Sequence, residues 1–274
     1  MESKQILLIN DLPGYGKVAL AAMMPVLAHM GHILYTLPTA LVSNTLDYGQ
    51  FEIMETTEYM KNTLKVWKNL GFHYDAIATG FIVSEEQAQL IAHYCEEQKK
   101  QGTLIFTDPI MGDDGKLYNG VTESALMHMK HLTACADVIV PNYTEACLLA
   151  GVEYKAEGID RKSMVELIDK LRQAGSKSII ITSAVVEGQD VVCGYEHKTD
   201  SWFMIPFHKI PVRFPGTGDI FSSLVLGHML HGMPLKDSVK QAMDMVAAVI
   251  ARNAGNEDKY KGIPPVSYTH LRAH

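Results

Sequence analysis

The chain has 274 residues, of which 47% are hydrophobic, and it carries a formal net charge of −7. This charge excludes the basic surface on which nucleic-acid binding depends, and no apolar run approaches the roughly 18 residues that span a bilayer. No linker-like stretch divides the sequence, so we predict a single domain over residues 1–265. The N-terminus lacks a signal-peptide pattern, which favours a cytoplasmic protein with neither a nucleic-acid nor a membrane partner.

Short apolar runs alternate with helical patterns along the chain. Strands are predicted over residues 6–9, 33–37, 76–79, 104–107, 138–140 and 178–181, with a hairpin over 191–195 and 202–205. Helices are predicted over 17–30, 57–70 and 84–100, after Asp160, and twice near the C-terminus. This alternation indicates an α/β fold with a mostly parallel sheet that helices cover on both faces.

The four cysteines, Cys95, Cys135, Cys147 and Cys193, are scattered and form no C-x-x-C pair. We expect buried thiols in a reducing compartment rather than disulfides or a zinc site. The histidines likewise show no spacing typical of metal ligands.

Ligands of parallel α/β sheets bind at the carboxyl ends of the strands, so the segments after the predicted strands are candidate site residues. The first is NDLPGYGK, predicted as a Gly-rich turn that opens a helix but lacks the spacing of a Walker phosphate loop. Asp108 follows the fourth strand, and Asn142 and Glu145 follow the fifth. Their oxygens are the hard donors that Mg²⁺ prefers, although each is also a common turn or helix-start residue. We expect Glu145 at the open end of the sheet, outside the core.

The sequence FPGTGD, which ends at Asp219, places Thr217 between Gly216 and Gly218 and a carboxylate at the start of a helix. The N–H groups of such a turn and the helix dipole favour an anion. A carboxylate beside a bound phosphate can accept the proton of an attacking hydroxyl. A Gly-rich turn with an Asp helix cap is the alternative, but together with the oxygen donors the segment favours phosphoryl transfer without a P-loop.

Three motifs, DPIMGD, PNYTEA and PGTGDIF, resemble the ribokinase superfamily in this order. Within it, the chain resembles the vitamin-kinase branch of pyridoxal/pyridoxamine kinases and hydroxymethylpyrimidine kinases, and NDLPGYGK and LPTALVSN are similar to its pyridoxamine kinase-like members. The resemblance covers residues 6–255. It implies a ribokinase-like three-layer α/β/α fold with a mostly parallel central sheet, the use of ATP and Mg²⁺, and a homodimer. Whether a monovalent cation such as K⁺ is also used stays open.

The resemblance also implies a role for individual residues. It implies that Asp219 is the catalytic base and that Gly216, Thr217 and Gly218 form an anion hole. It places the metal at Asp108 and Glu145. The binding residues that it implies are Asp11, Ser43, Thr45 and Phe81 for the substrate ring, Asp108, Asn142, Glu145, Thr182 and Ser183 for ATP, and Lys116 and Tyr118 on a nucleotide-side flap.

These roles predict an ATP-dependent kinase that phosphorylates the 5′-hydroxymethyl group of pyridoxal, pyridoxine or pyridoxamine, with the vitamers left unranked. The alternative is a hydroxymethylpyrimidine (phosphate) kinase of thiamine synthesis. A non-catalytic ligand-binding member of the fold is disfavoured, because a pure binder has no use for a base at an anion hole. Residues 266–274 match nothing in the family pattern and resemble a translated sequencing-library adapter, so we expect a non-native tail there.

Overall fold

The computed structural model describes residues 2–118 and 123–266, and of residues 123–125 only the backbone is described. The described residues divide into two compact units, the first formed by residues 2–76 with 210–266 and the second by residues 77–118 with 123–209. The predicted tail from residue 267 onward lies outside the described residues. Within the described ranges, none of the helices has the length and apolar character needed to cross a membrane.

The helices and strands alternate as the sequence pattern predicts. In chain order they are β1 (Gln5–Tyr15), α1 (Ala19–His29), β2 (Ile33–Asn44), β3 (Ile53–Glu55), α2 (Thr57–Leu70), β4 (Ala76–Thr79), α3 (Glu85–Lys99), β5 (Leu104–Thr107), β6 (Gly112–Asp113), β7 (Lys116–Leu117), α4 (Glu123–Cys135), β8 (Val138–Ile139), α5 (Tyr143–Ala150), α6 (Arg161–Gln173), β9 (Ser178–Val186), β10 (Gln189–Glu196), β11 (Ser201–Pro206), α7 (Thr217–Leu230) and α8 (Leu235–Asn253).

The first unit is built on β1, which pairs in parallel with β2, while β3 adds to β2 in the antiparallel direction. The run from Ile6 to Ile9 is fully buried, as expected for a strand covered on both faces. Helix α1 packs on β1 and against α7, and α7 packs against α8. Helix α7 is buried from Ile220 to Gly227, so the first turn of α7 is the start of a helix that lies in the core.

The second unit holds the strands β4-β5-β8-β9-β10-β11 in that order. Strands β5, β8 and β9 are parallel, and β10 and β11 form the predicted antiparallel hairpin at one end. A separate two-stranded ribbon is formed by β6 and β7, and α3 packs against α4. The sequence pattern did not predict β3, β6 or β7, which are only two or three residues long, and it did not predict α4. It indicated α5 only through the alternative interpretation of Asn142 and Glu145 as helix-start residues.

Strand β1 extends further than its apolar run predicts. Pro13 and Tyr15 pair with Val42 and Asn44 of β2, so most of NDLPGYGK is strand, and the prediction of a turn there is wrong. Glycine and proline disfavour strands when they are considered alone, but a neighbouring strand supplies pairing that local propensity does not show. Helix α1 consequently begins at Ala19 rather than at residue 17.

Strand β9 continues through Thr182 and Ser183, which the sequence pattern placed after its end. The pairing with β10 shifts there, since Ile181 faces Cys193 whereas Ala184 faces Val191. Thr182 and Ser183 therefore share one partner position, and Ser183 adopts a left-handed φ of 55°. This is a β-bulge, a feature that redirects side chains within a strand.

Candidate active site

The anion hole predicted at residues 216–218 lies at the N-terminus of α7. Gly216 caps the helix with a φ of 83°, and the hydroxyl of Thr217 donates to the carbonyl of Phe214 over 3.1 Å. The first N–H groups of a helix have no partner within the helix, and they carry its positive dipole end. The turn is therefore suited to hold an anion.

The carbonyl of Lys17 lies between two glycines with left-handed backbones. A Cβ on Gly216 would lie 2.0 Å from this oxygen, and one on Gly262 would lie 2.8 Å from it. The N–H of Lys17 donates to the carbonyl of Lys261 over 2.8 Å. Glycine is thus required at 216 for close backbone approach, and the anion hole is fixed against the segment that leads into α1.

Asp219, the predicted base, accepts a hydrogen bond from the first residue of α1. The backbone N–H of Ala19 donates to its Oδ2 over 2.8 Å, and Ala19 adopts a left-handed φ of 46°. Burial raises the pKa of Asp219 to about 6. At neutral pH this carboxylate is mostly ionised, and its pKa is close to the value that suits a general base.

Asp11, on β1, is the second carboxylate near Asp219, and we call these two residues the Asp11–Asp219 pair. Burial first, and the charge of Asp219 second, raise the pKa of Asp11 to about 7. The register of β1 against β2 shifts at this residue. The structure therefore brings Asp11 within electrostatic reach of Asp219, and at neutral pH Asp11 exists in both its neutral and its ionised form.

Ser43 and Thr45, which are predicted to contact the substrate ring, both form hydrogen bonds within the protein. Thr45 is buried, its hydroxyl donates to the carbonyl of Tyr260 over 2.7 Å, and a Cβ on Gly16 would lie 2.3 Å from its methyl group. Ser43 is exposed, donates to Asn44 Oδ1 over 2.7 Å and accepts from the N–H of Glu52 over 2.8 Å. Both residues fix loops near β1, and their contact with a substrate ring stays a prediction.

Three tyrosines that the sequence pattern did not single out cluster beside Thr45. The rings of Tyr15 and Tyr48 lie 6.0 Å apart, and those of Tyr48 and Tyr260 lie 5.5 Å apart. The hydroxyl of Tyr48 donates to Asp258 over 2.7 Å. Tyr15 and Tyr260 are each more than half exposed, so this cluster offers aromatic faces at the end of β1. A tyrosine within a Gly-rich stretch gives no signal of this arrangement.

In the second unit, Glu145 is buried, with 3% of its surface exposed; the expectation that it lies outside the core is wrong. Its Oε1 accepts from the N–H groups of Met111 and Gly112 over 2.9 and 3.4 Å. Its Oε2 accepts from the N–H of Asn142 over 2.9 Å. Burial first, and the charge of Asp108 second, raise the pKa of Glu145 well above its usual range.

Asn142 completes a capping box at the start of α5, since its Oδ1 accepts from the N–H of Glu145 over 2.9 Å. Its Nδ2 donates to the carbonyl of Gly112 over 2.7 Å, and Thr144 Oγ1 accepts from the N–H of Gly115 over 2.9 Å. The β6–β7 ribbon is therefore tied to the N-terminus of α5 by side chains of the PNYTEA motif.

Asp108 follows β5 directly, is half-buried, and donates its N–H to the carbonyl of Thr79 over 2.9 Å. Because its charge contributes to the raised pKa of Glu145, the two carboxylates form a second pair, which we call the metal pair. Hard oxygen donors of this kind fit Mg²⁺, and a divalent cation would offset both charges. The donor set is thus consistent with the predicted metal site.

The remaining predicted residues also lie in the second unit. Lys116 is exposed on β7, and the N–H of Tyr118 donates to the carbonyl of Met111 over 2.9 Å. The N–H of Thr182 donates to the carbonyl of Pro141 over 3.0 Å, and Ser183 is exposed at the bulge. Phe81 is half-buried after β4. Thr182 is thereby brought next to Asn142, and the roles of these residues toward a ligand stay predictions.

The chain matches the model of the phosphomethylpyrimidine kinase family over residues 23–264. It therefore belongs to this family, and the predicted membership of the vitamin-kinase branch is confirmed. A Schizosaccharomyces pombe protein named "putative pyridoxal kinase" is 32% identical over 236 residues, which cover 82% of this chain and 67% of that protein.

Solved structures match almost the whole chain. A "putative phosphomethylpyrimidine kinase" from Bacteroides thetaiotaomicron, crystallised with pyridoxal, is 31% identical with a TM-score of 0.90, covering 96% of this chain and 92% of that one. Pyridoxal kinase from Leishmania donovani, in complex with ADP and ginkgotoxin, is 25% identical with a TM-score of 0.85, covering 97% and 94%. These matches confirm the predicted three-layer α/β/α fold with a mostly parallel sheet.

Proposed function

We propose that this protein is an ATP-dependent kinase that phosphorylates the 5′-hydroxymethyl group of pyridoxal, pyridoxine or pyridoxamine. The observation that carries the proposal is Asp219, a carboxylate with a pKa of about 6 held by the N–H of Ala19 at the N-terminus of α7. Relatives that bear the name pyridoxal kinase, and structural neighbours that hold pyridoxal or ADP, support this choice.

The first unit acts on the acceptor alcohol. Ionised Asp219 accepts the proton of the hydroxymethyl group, whose oxygen forms a bond to the γ-phosphorus of ATP. The bond from that phosphorus to the bridging oxygen breaks, and ADP leaves with the electron pair. The N–H groups of the anion hole at residues 216–218 stabilise the negative charge of the transferring group.

The second unit acts on the nucleotide. Asp108 and Glu145 are the residues that would hold Mg²⁺, which when bound neutralises phosphate charge. Glu145 and Asn142 also fix the β6–β7 ribbon, so Lys116 and Tyr118 are presented on a supported flap. Thr182 and Ser183 contact the nucleotide from the bulge in β9. ATP is the phosphoryl donor, and a requirement for K⁺ is a matter for direct assay.

The acceptor ring is bound by Asp11, Ser43, Thr45 and Phe81. Asp11, with its pKa of about 7, can donate a hydrogen bond when neutral and accept one when ionised. A 3-hydroxyl on a pyridine ring and a 4-amino group on a pyrimidine ring both suit such a partner. We further propose that the protein works in the cytoplasm as a homodimer.

The second candidate is a hydroxymethylpyrimidine (phosphate) kinase, which the description of the matched family favours. It would use the same base, anion hole and metal pair on a smaller ring. Because Asp11 can pair with either ring, this residue does not separate the two candidates, and an assay of acceptors is needed.

The test is a coupled ADP-release assay with pyridoxal, pyridoxine, pyridoxamine and hydroxymethylpyrimidine, with each product identified by mass. We expect kcat/KM for the best vitamer to exceed that for hydroxymethylpyrimidine by at least about tenfold, or roughly 1.4 kcal/mol. A ratio below one would assign the protein to the pyrimidine substrate. ADP release with none of the four acceptors would overturn both candidates.

A further inference from the structure

Helices α3 and α4 of the second unit bring together three side chains that the proposed reaction does not use. Glu96 comes from α3, and His131 and Cys135 come from α4. One potential ligand atom of each lies within 4.8 Å of those of the other two. Glu96 and His131 are exposed, and Cys135 is half-buried, so the cluster is open to solvent from one side.

Helical spacing explains why α4 can contribute two ligands. Residues four apart lie on the same face of a helix, one turn from each other, which aligns the imidazole of His131 with the thiol of Cys135. The packing of α3 against α4 brings Glu96 to this face. The two helices are in contact at this cluster, where the thiol of Cys135 donates to Glu96 Oε1 over 3.4 Å.

We propose that Glu96, His131 and Cys135 form a binding site for a borderline-soft divalent cation, with Zn²⁺ as the best fit. Carboxylate, imidazole and thiolate are the three ligand types that zinc takes in proteins. In a tetrahedral site, bond lengths of about 2.0 to 2.3 Å place the ligand atoms about 3.3 to 3.8 Å apart. Exposed side chains reach this spacing from 4.8 Å or less by small rotations.

Charge and space around the cluster also suit a cation. Glu96 and the thiolate of Cys135 together balance the charge of Zn²⁺, and the thiol proton leaves to solvent as the metal–sulfur bond forms. The nearby ammonium of Lys99 is paired with Asp137 Oδ1 over 3.0 Å and donates to the carbonyl of Cys135 over 2.7 Å. Because Asp137 Oδ1 also pairs with Lys177 over 2.9 Å, this carboxylate offsets part of the charge of Lys99.

His131 also lines a surface cavity of about 210 Å³ together with Ala88, Gln89 and His128. Three protein ligands with one open position leave room for water or a small anion. His128 lies one turn before His131 on the same face of α4, and its Nε2 is 3.3 Å from Glu85 Oε1. A bound metal would connect α3 and α4 near their C-terminal ends and stabilise the second unit.

The experiment is a Co²⁺ titration of the full chain without a polyhistidine tag, followed by displacement with Zn²⁺. Tetrahedral Co²⁺ bound through sulfur gives a charge-transfer band in the near ultraviolet, which the metal pair cannot produce because it has no thiolate. We expect saturable one-to-one binding with this band, and a Zn²⁺-dependent rise of at least about 3 °C in Tm.

The variants Cys135→Ser and His131→Gln should each weaken binding by at least about tenfold, and the serine variant should lose the charge-transfer band. The matched control on α3 is His93→Gln, which changes an exposed histidine three positions before Glu96 that lies 3.6 Å from Glu97, and this variant should bind as the parent does. A band that persists in Cys135→Ser, or the absence of saturable binding to the parent chain, would overturn the proposal.

Discussion

Each unit carries a pair of carboxylates, Asp11 with Asp219 and Asp108 with Glu145, but the two pairs are held differently. In the Asp11–Asp219 pair, the carboxylate of Asp219 accepts from the backbone N–H of Ala19, the first residue of α1, and from its own backbone N–H. In the metal pair, Glu145 accepts from three backbone N–H groups and lies deep in the structure. A carboxylate has about four lone-pair sites, so Asp219 keeps more of them for a substrate proton than Glu145 does.

This difference separates two uses of the same functional group. Burial is the first cause of the raised pKa at both Asp219 and Glu145, so burial alone does not identify a base. The two carboxylates differ in their hydrogen bonds, because Glu145 is the acceptor for three separate backbone N–H groups. We therefore expect substitutions of Asp11 or Asp219 to affect turnover first. Substitution of Glu145 should affect both the stability of the protein and the dependence of turnover on Mg²⁺.

The largest expected effect follows Asp219→Asn, which keeps the size of the side chain but removes its basicity. Turnover should fall by about 10² to 10⁴ while ATP binding is largely kept. Because the folded-state pKa of Asp219 is raised, its ionised form carries a cost above pH 6. The Tm of the variant at pH 8 should thus match or exceed that of the parent. Near-normal turnover would remove Asp219 as the base.

The next effect in size concerns Glu145→Ala. The N–H groups of Met111, Gly112 and Asn142 would lose their acceptor, at an expected cost of about 2 to 4 kcal/mol in the free energy of unfolding. The Mg²⁺ concentration needed for half-maximal turnover should rise as well. The control is Glu153→Ala at an exposed position in the same unit, and an equal loss of stability there would contradict the anchoring role of Glu145.

A smaller effect is expected from pH. Since the base must be ionised and its pKa is about 6, kcat/KM should fall about tenfold between pH 7 and pH 5. Burial, and not the charge of Asp11, raises the pKa of Asp219. The Asp11→Asn variant should therefore retain this acid limb, even if its KM for the acceptor rises. Disappearance of the limb in that variant would show that Asp11 is the titrating group.

The smallest effect lies away from both pairs, at His32. Its ring is buried 4.5 Å from that of His231, with Asp75 and Lys4 as the charged neighbours. Burial lowers the pKa of His32, and the positive charge of His231 lowers it further. The folded state thus binds fewer protons than the unfolded state, and stability should decline as pH falls below about 6.5.

Denaturant unfolding between pH 5 and 8 measures this decline, and His32→Leu should flatten it. His73→Gln changes an exposed histidine in the same unit and serves as the control. An unchanged pH slope in His32→Leu would place the linked proton elsewhere, for instance on His228 or His231, whose pKa values burial also lowers.

The local geometry around Asp219 follows more directly from the sequence than the geometry around Glu145 does. Gly216, Thr217, Gly218 and Asp219 are contiguous, so local chemistry alone indicates an anion site beside a carboxylate. The pattern around Asn142 and Glu145 gives the correct helix start, since the capping box is local. It cannot show that Glu145 also binds Met111 and Gly112, because those contacts join residues more than 30 positions apart.

The other features that the sequence did not predict also depend on contacts between distant segments. The extension of β1 to Tyr15 depends on pairing with β2, and the bulge at Ser183 depends on its register against β10. The cluster of Glu96, His131 and Cys135 depends on the packing of α4 against α3, and α4 itself was not predicted. Strand and helix periodicity report on burial along one segment, and none of these features is a property of one segment.

The carbonyl of Lys17, enclosed by Gly216 and Gly262, sets a practical boundary for protein engineering. Any shortened or circularly permuted version must keep the chain intact beyond residue 262, because that glycine forms one wall around the loop that orients Asp219. A reporter or affinity label attached close to Gly262 would disturb the segment from Lys17 to Ala19 through this contact. Labels placed on the exposed surface of α6, in the other unit, avoid that coupling.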